Sequence, residues 1–118
     1  MQHIIVTAWN NGKHHVSGAG YGLKLHAPDR DRYFQRKWET VILELQGFPV
    51  PVEVNIDKNS FWGPKCRELI SKKIGLWLIE NSLAPWPKGK PPKLFILPVN
   101  GNRFSVRLPD PDDPDLWH

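Results

Sequence analysis

His14 and His15 stand side by side in the first loop of the chain, and His26 closes the next expected strand. Imidazole titrates near neutral pH, so two histidines and a lysine can move the protons of RNA backbone cleavage. The spacing works against that chemistry. Adjacent side chains on a loop or strand diverge, and a closed hairpin carries His26 to the end opposite the loop. A small ribonuclease or phosphoesterase using the loop histidines is therefore kept only as an alternative reading. Cys66 is the single cysteine, so no internal disulfide can form. No Cys-x-x-Cys or His-Glu-x-x-His spacing occurs, and neither a metal nor a cofactor is expected. Cys66 falls near the start of an expected helix, where a thiol can be activated. Its position on that helix's apolar stripe predicts core packing instead.

Ser17–Gly22, SGAGYG, is a second candidate. Glycine loops cradle phosphate through free backbone N–H groups when a helix follows directly. Here an alternating strand follows, and there is no Gly-Lys-Ser/Thr. A bend, or the close approach of another backbone, is the expected use of these glycines.

The third candidate is basic and aromatic. Arg30, Arg32, Arg36 and Lys37 interleave with Tyr33, Phe34 and Trp38. Lys72 and Lys73 are neighbours, and Lys88, Lys90 and Lys93 surround Trp86 on a proline-rich stretch, APWPKGKPPKL. Cations neutralise phosphates, and flat rings stack on bases. These cations and Trp86 make the expected nucleic-acid surface, with Tyr21 a further stacking ring if exposed. DNA or RNA is the expected partner, and no catalysis is expected. The competing explanation is structural: a basic domain needs solvated lysines, and Phe34 and Trp38 fill a core.

Charge layout favours the polyanion reading. Residues 1–108 carry all 16 Lys and Arg against 8 Asp and Glu, a balance of +8. The last ten residues, PDPDDPDLWH, carry −4. The basic body attracts polyanions, and the acidic tail is expected to compete for the same surface. The chain thus reads as one domain over residues 1–108 with an acidic, proline-rich tail at 109–118. Its 118 residues, 40% hydrophobic and 24% charged, suit a folded domain with one core. No apolar run reaches the roughly 20 residues of a membrane span. The opening residues lack the pattern of a signal peptide. With one cysteine, a reducing cytoplasm is the expected location.

The elements that must position these residues follow from periodicity. Residues 3–9 are β-branched and apolar, and GYGLKLH alternates with period two, so the two predict a hairpin. APDRDRYFQRKW predicts a helix of about two and a half turns, with Pro28 in its first turn and Phe34 and Trp38 on one face. ETVILELQG and VEVNID alternate as strands. Cys66, Ile70, Ile74 and Trp77 recur at helical spacing, which predicts a long helix from Pro64 to Asn81. Leu76 and Ile79 form a second apolar face at its end. That face is covered either by the proline-rich segment, with Trp86 over it, or by a partner. KLFILPV and RFSVRL flank Asn100-Gly101-Asn102, a strong hairpin signal. The sum is an α+β fold: about six mostly antiparallel strands in a curled sheet or half-open barrel, with one short and one long helix. This element order resembles PUA-like and related pseudobarrel domains, many of which bind nucleic acid. The resemblance implies a nucleic-acid module. The alternative is a protein-interaction subunit docking through the apolar helix end and the acidic tail.

Overall fold

The three hairpin signals each produce an antiparallel pair. A computed structural model describes residues 4–109. The acidic tail beyond Pro109, and its expected competition for the basic surface, lie outside those residues. β1 (Ile4–Asn10) pairs with β2 (Tyr21–Lys24), Asn10 opposite Tyr21 and Thr7 opposite Lys24. β3 (Thr40–Leu45) pairs with β4 (Val52–Asn55). β6 (Lys93–Asn100) pairs with β7 (Arg103–Arg107) across a turn in which Gly101 takes φ 57.

Two further ladders join these hairpins. β1 pairs antiparallel with β6, and β3 pairs parallel with β7. The sheet order is β4-β3-β7-β6-β1-β2-β5. It curls until its edge strands β4 and β5 approach one another, which makes a nearly closed barrel. Alternation then sorts the side chains. Val6, Leu23, Val41, Leu43, Val54, Leu94, Ile96, Phe104 and Val106 point inward and are buried.

The long helix begins later than helical spacing predicts. One turn of helix, α2 (Asn59–Trp62), precedes Pro64. Arg67 then takes a left-handed φ of 74, which breaks any helix running through it. Glu68–Ile70 forms a seventh strand, β5, along the free edge of β2. Leu69 is fully buried and Ile70 is 38% exposed, while Glu68 is buried beside Lys24 of β2, 3.8 Å away. The apparent helical stripe from Cys66 was a coincidence of spacing, and pairing along β2 wins because it satisfies that strand's open backbone groups. Cys66 is therefore on no helix and is half-exposed rather than packed in the core. The helix proper, α3 (Lys72–Glu80), starts at Ser71, whose hydroxyl accepts from the Lys73 N–H at 3.2 Å.

The first helix, α1 (Ala27–Tyr33), is also shorter than expected. Phe34 leaves it in an extended conformation, φ −115 and ψ 144. That exit lets its ring stack on Phe104 at 4.6 Å inside the barrel. Trp38 still meets Phe34 at 6.4 Å, though not as a helical neighbour.

Strand directions sort the loops into two ends. At one end lie α1, the segment 56–67 and the β6–β7 turn. At the other lie the β1–β2 loop, the β3–β4 loop, α3 and the proline-rich segment 84–92, here the strap. α3 closes this second end. The Trp77 indole N–H donates to the Gln46 carbonyl at 2.8 Å. Gly75 lies against Gly18, so close that a Cβ on Gly75 would sit 2.1 Å from the Gly18 oxygen. Glycines 18 and 22 thus permit close backbone approach, as expected of SGAGYG, and a phosphate cradle is not needed to account for them. Among the described residues no helix is long and apolar enough to cross a membrane.

The Gly75 contact generates a prediction. Gly75→Ala gains up to about 1 kcal/mol of helix preference but must push two backbones apart, at about 1–3 kcal/mol. Thermal denaturation should show Tm falling by several degrees. An unchanged or raised Tm would mean that the loop yields freely.

Candidate nucleic-acid interface

The expected cationic residues divide between the two ends of the barrel. Arg30, Arg32, Arg36 and Lys37 are at the α1 end. Lys72, Lys73, Lys88, Lys90 and Lys93, with Trp86, are at the strap end.

At the α1 end the arginines are largely occupied. Arg30 is buried, and its Nη1 donates to the carbonyls of Phe61 at 2.8 Å and Gly63 at 2.6 Å. Its Nε donates to Asp31 at 3.0 Å. This side chain ties α1 to α2 and offers nothing to solvent. Arg36 is exposed but lies over the Trp62 ring at 5.0 Å, and Arg32 lies over Tyr33 at 5.3 Å. Lys37 is exposed. Asp29, Asp31, Glu39 and Asp57 share this end with Lys58, Lys65 and Arg67, so its charge is offset only in part.

The strap end is different. Its five expected lysines are all exposed. The β1–β2 loop adds Lys13, which sequence reasoning did not single out. The ion pairs among the described residues are Lys24–Glu68, Arg30–Asp31 and Arg103–Glu44, so none of these lysines is in one. Across the β1–β2 loop, α3 and the strap, Glu80 is the one acidic residue.

Trp86 organises this end. It packs edge-on against His14, centroids 4.8 Å apart, and against Tyr21 at 5.7 Å. The C-terminal end of α3 is covered by the chain itself, the first residue of the strap included. The N–H groups of Leu83 and Ala84 donate to the Leu78 carbonyl, and Leu76 reaches Gly18 of the β1–β2 loop. Leu76 and Ile79 are both half-buried within the domain.

Trp86 separates two hollows. One, of about 590 Å³, is bounded by Trp9, Asn10, His14 and Lys88. The other, of about 720 Å³, is bounded by Thr7, Leu83, Lys90, Lys93 and Pro109. Trp86, Gly89 and Pro91 line both, so the hollows flank the same part of the strap and are here together called the furrow. Pro87–Lys90 is a tight turn, with the Lys90 N–H donating to the Pro87 carbonyl at 3.0 Å and Gly89 at φ 79. That pattern fits a type II turn, which needs a left-handed residue in its third position. The turn sends Lys88 to one hollow and Lys90 to the other.

Tyr21 is fully buried, so it is not a stacking surface. Its hydroxyl lies 2.7 Å from His14 Nδ1. Burial pushes its phenol above the ordinary 10.0, so the hydroxyl keeps its proton. His26 immediately precedes α1 at the opposite end, as hairpin geometry requires, and contributes nothing here. Trp9 was legible in principle, since it alternates outward against inward Val6 and Ala8. His14 as a wall against Trp86 had no sequence signal.

No protein-family model matches this chain, and searches of curated proteins and of solved structures return no match.

Two predictions follow from this packing. Arg30→Met leaves the Phe61 and Gly63 carbonyls without their charged donor and should lower unfolding stability by about 2–3 kcal/mol in urea titration. A loss below the scatter of the titration would reassign Arg30 to solvent. Tyr21 controls a pH slope. Its phenol ionises at higher pH in the folded protein than in the unfolded chain. Its contribution is therefore full below the ordinary 10.0 and is lost as pH rises through the folded value. Stability should fall as pH rises from the ordinary 10.0 to the raised folded value, and Tyr21→Phe should flatten the fall.

Proposed function

We propose that the strap end is a polyanion surface that takes nucleic acid, without catalysis of its own. One observation carries this reading. Exposed Lys88, Lys90 and Lys93, which have no ion-pair partner among the described residues, rim a furrow walled by Trp9 and Trp86. Each lysine set against a phosphate releases condensed counterions, so binding gains entropy and weakens with salt. The rings give a polymer of bases an apolar surface that a mere charge patch lacks. The α1 end supports the reading less, because Arg30 is spent on backbone carbonyls and four acids lie nearby. Docking through the helix end has weaker support, since Leu76 and Ile79 are partly covered within the domain. Histidine catalysis lacks an assembled pair, with His14 and His26 at opposite ends. The single cysteine fits work in a reducing cytoplasm.

Fluorescence anisotropy with labelled oligonucleotides at low salt tests the proposal. The protein should bind, with log affinity falling linearly against log salt. Lys88→Glu with Lys90→Glu should weaken binding roughly 10-fold or more and flatten the salt slope by about 1.5–2. Arg32→Glu with Arg36→Glu should have the smaller effect. Absence of binding at low salt would end this reading.

A further inference from the structure

We infer that the furrow takes a single strand in preference to a duplex, with bases stacked on Trp86 and phosphates on Lys88 and Lys90. This rests on the nucleic-acid reading above and deepens it. Trp86 stands between the two hollows and presents surface to both. Its orientation is held on one side by the edge-on contacts with His14 and Tyr21. On the chain it is held by Pro85 and Pro87, which restrict the backbone on either side of it. A ring fixed in this way receives a base with little further loss of freedom.

The cations are arranged around that ring. The Pro87–Lys90 turn places Lys88 at the hollow beside Trp9 and Lys90 at the hollow beside Leu83. A strand crossing Trp86 therefore meets an ammonium group on each side of the stacking surface. The His14 ring borders the first hollow, within reach of a phosphate or a base edge there. A duplex can use the lysines but not the ring. Its bases are already stacked and paired, and it offers a protein only their edges and its phosphates. Stacking is the contribution that separates the two ligands, and per base it corresponds to roughly 5- to 150-fold in affinity.

The test compares one labelled 15-nucleotide strand of mixed sequence with the same strand annealed to its complement, using the full chain at low salt. The wild-type protein should bind the single strand at least several-fold more tightly. Trp86→Ala should cost roughly 10-fold on the single strand and leave the duplex unchanged. Trp86→Leu keeps an apolar contact with His14 and Tyr21 but has no π-face. It should show the same selective loss, which covers the case in which Trp86→Ala fails to fold. Lys88→Glu with Lys90→Glu should weaken both ligands. Equal binding of the two probes, or a Trp86 effect of equal size on both, would overturn the single-strand inference while leaving nucleic-acid binding intact. Failure of both probes to bind the wild-type chain would remove the nucleic-acid reading itself.

Discussion

Gly75 and Gly18 meet backbone to backbone, and the strap end is built outward from that contact. It sets the β1–β2 loop against α3 at a distance that no side chain would permit. The loop then holds His14 where the Tyr21 hydroxyl can reach it, and His14 in turn is one of the two rings against which Trp86 rests. The order of dependence is therefore a chain of steric steps: glycine contact, loop position, imidazole, indole. Only the last of these borders the furrow from both sides. Loss of the first would shift every later one.

Local alternation made most of this architecture readable from the amino acids. Three strand pairs came from period-two patterns and turn residues, because a sheet with one buried face imposes that period on each strand. What failed was the stretch from Pro64 to Ser71. Cys66, Ile70 and Ile74 are spaced as on a helix, yet the choice there was made by the unpaired edge of β2, which is distant in sequence. A left-handed Arg67 has no compositional signature either, because its guanidinium and backbone are held by Leu25 and Pro64. The parallel β3–β7 ladder was equally invisible, since parallel pairing of distant strands leaves no turn to read.

The site was legible by residue type and not by place. Arginines and lysines with interleaved rings were apparent, but they do not share a face. α1 leaves the C-terminal end of β2, whereas the strap enters β6 at the end of the barrel that holds the β1–β2 loop, so strand directions separate them. The arginines then divide by role. Arg30 satisfies two carbonyls at the junction of α1 and α2, a use that a count of positive charge cannot distinguish from a free cation. Lysines, with a flexible stem and a strongly hydrated ammonium group, remain at the surface where the strap exposes them.

The near-closure of the barrel has a consequence for how copies of this chain meet. β4 and β5 are the two edges of a seven-stranded sheet, and each carries a row of backbone donors and acceptors that invites another strand. Both are short, Val52–Asn55 and Glu68–Ile70, and the curl turns them toward each other. A second molecule seeking a strand to pair with finds that template narrow and turned inward. The same curvature that brings the ends of the sheet together thus keeps a β-rich, partly apolar surface from growing by edge addition.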